Sequence, residues 1–220
     1  MESEKIIKIV IIGASGFGKE VLWTIEDCNK TKKQYNVIGF IDDNKKLLGK
    51  KIHGKKVLGG LEWFSKNNLK NLQCVIAISD CDIREKLVKR ISKHEIKFGT
   101  IIHPSSIISK FVKIGKGTII QAGNIITTDV VIKDHVHVNI ACTIGHDSII
   151  DNFVTLNPGV RVNGNTTIEK NCNIGTGSIL KQGITVEKKS ITGAGTVLID
   201  DVPEHSMFVG VPGKIKKKLQ

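Results

Sequence analysis

The stretch TIGHDSIIDNFVTLNPGVRVNGNTTI, residues 143–168, decides the fold. An aliphatic side chain returns at Ile144, Ile150, Leu156, Val162 and Ile168, once every six positions. Six matches neither the 3.6-residue period of a helix nor the two-residue alternation of a strand. Followed outward, the series starts at Ile102 and reaches Leu198 without a break. Sixteen of its seventeen positions are Ile, Leu or Val, and Thr192 is the exception. Four residues after most of them sits a small or β-branched residue, such as Cys142, Ser148, Val154, Val160 or Thr166. Three residues after, Gly, Asn or Asp holds eleven of the seventeen places, among them Gly117, Asp147, Gly159, Asn165 and Gly177. These types tolerate a positive φ. Short strands closed by tight left-handed turns account for the whole pattern. Three such units, eighteen residues, make one coil of a triangular prism, and stacked coils bury the aliphatic column. The unbroken phase predicts no long loop between 102 and 198.

Upstream the periodicity changes. KIVIIG (8–13), NVIGFID (36–42) and CVIAIS (74–79) are short β-branched runs of the kind found in buried parallel strands. Between and after them, residues 19–29 and about 83–94 carry helical spacing, with Val21, Leu22, Ile25 and Cys28 on one face and Leu87, Val88 and Ile91 on another. Strand–helix alternation predicts a small parallel sheet covered by helices. The chain is therefore read as an α/β Rossmann-like domain over 1–97, followed by an all-β parallel β-helix over 98–220.

No apolar run reaches the ~20 residues needed to span a bilayer. The MESEKIIKIVIIG start mixes acids with lysines, unlike a signal peptide. Five cysteines, an odd number without a CxxC, point to reduced thiols and a cytoplasmic protein. A formal net charge of +12 favours anionic ligands. With only 5% aromatics and no basic recognition helix, phosphorylated small molecules fit that charge better than nucleic acid, and a solvated surface with a basic tail is an equal reading.

Two places carry chemistry. His146 lies at a turn, two residues past inward-facing Ile144, so its imidazole points outward, where this side chain can act as a base. Asp147 follows and can orient the ring. Gly164, eighteen residues on, stacks over His146, and a bare glycine there lets a ligand approach the backbone. Read alone, His146 could equally be a turn residue without a role. The second place is GASGFG: Gly13, Ala14, Ser15, Gly16, Phe17 and Gly18 join a strand to a helix, as in loops that hold a pyrophosphate. Asp42 and Asp43 end the second strand, where a ribose or base is commonly read. Ser79 and Asp80 end the third, where turn capping is an equal reading.

The hexads, GASGFGKE, Asp42-Asp43, AISDCDIREKL, the junction IIHPSS and the closing FVGVPGK together resemble the left-handed β-helix acyltransferases. Within them the chain is similar to the bacterial sugar O- and N-acetyltransferases related to the sialic acid O-acetyltransferase, and most to UDP-4-amino-sugar and GDP-perosamine N-acetyltransferases. The resemblance implies a left-handed coil, a homotrimer with active sites between subunits, acetyl-CoA as co-substrate and no metal. It implies His146 as catalytic base in a His–acid pair with Asp147, and Gly164 as the amide donor to the thioester. It further implies Thr176, Ala194 and Lys214 along the CoA, and Asn139 near the reacting amine. The sugar nucleotide is assigned to the first domain, at Gly13–Phe17, Asp42, Asp43, Ser79 and Asp80. The expected activity is transfer of acetyl from acetyl-CoA to a nucleotide-linked 4-amino-4,6-dideoxy sugar. O-acetylation of a sugar hydroxyl, as on sialic acid, is the alternative. The chain departs from the pattern at Phe17 and Thr155, where relatives carry histidine. A metal-dependent hydrase using His135, His137 and His146, or a non-catalytic scaffold, are the readings from other classes.

Overall fold

A computed structural model describes residues 6–219; the first five residues of the MESEKIIKIVIIG start and Gln220 lie outside it. The chain divides into two compact units. One runs to Ser79 and takes in 83–104; the other comprises 80–82 and the chain from 105 onward.

In the first unit, β1 (Ile7–Ile12) leads through GASGFG into α1 (Gly16–Thr31), then β2 (Tyr35–Ile41). Next come β3 (Lys51–Ile52), β4 (Lys55–Gly59), α2 (Trp63–Lys66), β5 (Leu72–Ile76), α3 (Cys81–Ile91) and β6 (Lys97–Phe98). The sheet order is β3-β4-β2-β1-β5-β6, parallel except for the β3–β4 hairpin. Central β1 is buried on both faces, which is why it reads as an uninterrupted Ile/Val run. The three expected strands are all present. The hairpin and β6 are additions: KIHGKK is too short and lysine-rich to show periodicity, and β6 has only two residues. Helix α1 buries Val21, Leu22, Ile25 and Cys28 as spaced. Its outer end is tied to residues 102–103. The Cys28 thiol donates to the Ile102 carbonyl at 3.1 Å, and Asp27 pairs with His103 at 3.0 Å. Lys30 first, and His103 second, hold the Asp27 carboxyl below its usual range.

In the second unit, two-residue strands pair in parallel with those eighteen positions away, Thr143 with Arg161, Thr155 with Asn173, Thr167 with Thr185. The inward column is shut off from water: Val138, Ile144, Ile150, Leu156, Ile168 and Ile174 are all fully buried. Each such side chain contributes about 1.5–3 kcal/mol. The small residues form a second buried column, and it is not apolar throughout. Thr118, Ser148, Thr166 and Ser178 each donate a hydroxyl to the carbonyl fifteen residues later, at 2.9–3.3 Å. The thiols of Cys142 and Cys172 do the same, at 3.2 and 3.0 Å. Burial pushes those thiols up to about 11 and about 12, so they remain protonated donors.

The corners hold a surprise for the sequence reading. His135, Ala141, Phe153 and Lys189 adopt positive φ, 56–62°, just as the Gly, Asn and Asp corners do. A left-handed L-residue costs roughly 1–2 kcal/mol. Closure of the coil imposes it regardless of residue type. Among the described residues no helix is long and apolar enough to cross a membrane.

Leu156 pairs with Val138 below and Ile174 above. Leu156→Ala should therefore lower the unfolding free energy by about 2–5 kcal/mol. The measurement is the urea midpoint at constant slope; a loss under about 1 kcal/mol would show that the column is not the core.

Candidate active site

The prism has three edges, each with its own backbone ladder. On one, the amide of Asp147 donates to Thr128, that of Asn165 to His146 and that of Gly183 to Gly164. On the second, Ala141 donates to Ala122, Gly159 to Ile140, Gly177 to Pro158 and Gly195 to Thr176. On the third, His135 donates to Lys116, Phe153 to Asp134 and Asn171 to Asn152.

His146 and Gly164 thus share the first edge, one coil apart. The His146 side chain is 48% exposed and that of Asp147 56%, so both face outward. Asp147 has a φ of 58°, which turns its carboxylate back onto the ring, and Nδ1 lies 2.8 Å from Oδ2. A carboxylate only accepts, so Nδ1 is the donor in this bond, and in the neutral ring Nε2 carries the lone pair. The Nε2 side of the ring lies over Gly164, where a Cβ would sit 2.5 Å from Nε2. Among the described residues, the Gly164 N–H donates to no acceptor. An oriented imidazole and an uncommitted amide N–H therefore stand side by side, groups of the kind that an addition to a carbonyl can use.

Thr176 and Ala194 are exposed, eighteen residues apart, on the second edge with Ile140 and Pro158. Asn139, nearly buried, precedes that same edge. The structure therefore groups these three together and sets them apart from His146 within one chain. Between the two edges runs a face whose outward residues include Thr143 and Arg161, and Arg161 donates to the Ala141 carbonyl. Lys214 opens the strand Lys214–Lys218, antiparallel to Ser206–Val209 and wholly exposed. Thr155 is fully buried on the face opposite the His146 edge. His135 lies on the third edge, stacked on Phe153 at 5.3 Å. Among the described residues no group of three or more His, Cys, Asp or Glu could hold a metal ion.

In the first unit, Ser15 starts α1 without using its hydroxyl as a cap. Gly13, at φ 99°, and Gly18 are packing glycines: a Cβ on either would meet backbone oxygen at 2.8 or 2.1 Å. Gly16 faces open space, and Phe17 is half-buried. The loop is not a bare anion nest, because the Ala14 N–H donates to Asp42 Oδ2 at 2.9 Å. Asp42, Asp43 and Gly13 line a cavity of about 200 Å³. Leu61, Ile78, Ile83 and Leu87 also line it, residues that sequence reasoning assigned no such role. Ser79 does not line it; its carbonyl, with that of Ile78, accepts from fully buried Arg84 at 3.1 and 2.7 Å. An arginine on a helix face that otherwise turns inward was the available signal for this brace. Asp80 borders a different cavity, with Asn171 and Lys189.

Residues 8–91 match the family described as the PglD N-terminal domain, and residues 165–199 the hexapeptide repeat of succinyl-transferase. No curated protein matches the chain. Among solved structures, WeeI from Acinetobacter baumannii AYE is 34% identical over 96% of this chain and all of that one, with a TM-score of 0.86. The acetyltransferase domain of PglB from Neisseria gonorrhoeae FA1090 is 31% identical over 94% and 98%, with a TM-score of 0.88, and has also been solved in complex with acetyl coenzyme A. PerB from Caulobacter crescentus, in complex with CoA and GDP-perosamine, is 26% identical over 98% and 100%, with a TM-score of 0.74.

Gly164→Ala should push the His146 ring off its seat and break its bond to Asp147 while leaving the coil intact. The Nδ1 proton resonance, sharp in the parent, should be lost at unchanged circular dichroism; its persistence would show that the contact is not seated as described.

Proposed function

Because the chain belongs to the left-handed β-helix family of hexapeptide-repeat sugar acetyltransferases, with acetyl-CoA as acetyl donor, we propose that it acetylates the amino group of a nucleotide-linked 4-amino-4,6-dideoxy sugar with His146 as general base. The observation that carries the reading is the His146–Gly164 pair, an oriented imidazole lone pair beside an unspent amide N–H.

The chemistry follows from that pair. His146 Nε2 takes a proton from the sugar amine, and Asp147 stabilises the resulting imidazolium through Nδ1. The amine nitrogen bonds to the thioester carbon, and the Gly164 N–H receives the developing oxyanion. Collapse breaks the carbon–sulfur bond, and the proton held on His146 passes to the leaving thiolate. Direct transfer leaves an amide and free CoA.

Most of the remaining site residues find roles in this scheme. Residues 1–97 hold the sugar nucleotide, with Gly13–Phe17 near the diphosphate and Asp42 and Asp43 near the nucleoside. Ser79 and Asp80, which do not line the cavity beside Asp42 and Asp43, take no direct part in this scheme, and Asn139 lies near the amine. Residues 98–220 perform the transfer. Thr176 and Ala194 offer a smooth strip for pantetheine, and Lys214 begins a lysine strand suited to CoA phosphates. Since that strip lies on a different edge from His146, one chain does not complete the site. A homotrimer does so by setting the His146 edge of each subunit against the Thr176–Ala194 edge of the next. The five thiols are free and buried, which supports a reducing, cytoplasmic setting.

Supplied with acetyl-CoA and a panel of UDP-, GDP- and dTDP-linked 4-amino sugars, the protein should release CoA and form an alkali-stable product. His146→Ala should cut kcat by about 10²–10⁴-fold. An alkali-labile product would identify an ester and displace the amine reading. Mixing offers a second check. His146→Ala and Ala194→Trp chains, each inactive alone, should regain activity when co-assembled, because some clefts then combine two intact edges. No recovery in co-purified mixed assemblies would place the whole site within one chain.

A further inference from the structure

Resting on the reading of the first unit as a sugar-nucleotide site, we infer that Arg84 is a positioning residue for that ligand: its buried guanidinium holds the turn after β5 so that Ile78 stays seated on Gly13, where the loop to α1 begins. The sheet ladder carries the chain as far as Ala77, whose N–H donates to the Ile12 carbonyl at 2.7 Å. The next two carbonyls leave the ladder and meet a side chain instead. Arg84, fully buried, donates from Nη1 to Ile78 at 2.7 Å and to Ser79 at 3.1 Å. Neighbouring carbonyls of an extended strand point to opposite sides. Here both turn toward one nitrogen, so the guanidinium fixes where the strand ends and how the chain leaves it.

From that turn the contact runs on to the loop. Ile78 Cδ1 and the Ala77 carbonyl oxygen each lie 2.8 Å from where a Cβ on Gly13 would be, so the isoleucine packs on bare backbone. The Gly13 carbonyl in turn packs against Gly18 in α1, with no room for a Cβ between them. Gly13 and Ile78 line one cavity together with Ile83 and Leu87, which come from the helix that carries Arg84. One side chain therefore ties the end of β5 to α3 and, through Ile78, to the start of the loop. In parallel α/β sheets ligands lie beyond the carboxyl ends of the strands, which is where this turn stands.

Stability alone does not call for a charge at this place. Taking a guanidinium out of water is costly, and apolar residues of similar volume often serve a core as well as buried ionic groups do. What a guanidinium adds is geometry, a planar array of N–H donors that holds its acceptors in fixed directions. Arg84 does not itself line the cavity, so its influence passes through Ile78. Small displacements of groups that seat a substrate are felt in its binding and orientation. Loosening this turn should therefore weaken the sugar nucleotide and spare the acetyl donor, which the other unit holds.

Titration calorimetry of the full chain with UDP, GDP and dTDP gives the parent's affinities. Arg84→Met keeps a long stem without the donors. It should weaken the tightest of the three by about tenfold and raise KM for the matching 4-amino-sugar nucleotide alike, with KM for acetyl-CoA and kcat at parental values. Arg84→Lys, cationic but shorter, should recover part of the loss. Ile78→Ala should weaken nucleotide binding with Arg84 in place, and adding Arg84→Met to it should cost little more, since both changes act on one contact. A folded Arg84→Met chain with parental nucleotide affinity overturns the inference. So do losses that fall equally on both substrates, losses that simply add in the double variant, and failure of both Arg84 variants to fold, which would make the residue a stability element. Binding of none of the three nucleotides by the parent overturns the sugar-nucleotide reading itself, and the inference with it.

Discussion

The parallel backbone pairing between each residue and its counterpart eighteen positions on is the constraint everything else obeys. Each two-residue strand is too short to be stable alone, and each corner holds a conformation that an L-residue resists. The stack makes both tolerable because every coil supplies acceptors for the next. Ala141 and Phe153 show the strength of that coupling: nothing in their own chemistry favours a positive φ, yet the amides on either side must meet the ladder.

The same constraint explains the polar interior. A serine, threonine or cysteine following the aliphatic position finds a corner carbonyl of the next coil within hydrogen-bonding distance. A buried hydroxyl without a partner would cost about 1–3 kcal/mol, whereas here the partner recurs with the repeat. Cys142 and Cys172 are thus equivalents of Ser148 and Ser178, and their raised thiol values mark them as structural donors.

Much of this was legible beforehand, for a physical reason: a repeat writes its geometry into the sequence many times over. The six-residue period located the prism, its corners and the stacking of Gly164 on His146. The first unit was less readable where its elements were short. The β3–β4 hairpin hides in KIHGKK, and the Arg84 brace beneath residues 78–79 is a single side chain with no periodicity to announce it. The division of the site between edges was legible in principle. Thr176 lies thirty positions after His146, one coil and two-thirds of another, so it falls on another edge. Grouping the residues by resemblance concealed what counting would have shown.

Because azimuth around the prism is fixed by position within eighteen, changes in chain length have discrete meanings. Adding or removing one whole coil slides everything above it by one strand spacing, about 4.8 Å, without rotation. A six-residue change rotates every later side chain by a third of a turn, carrying a residue from the edge of His146 to an edge facing elsewhere. Length variation in such chains is therefore confined by phase: eighteen-residue steps tune reach along the axis, and shorter ones rewrite which surfaces meet.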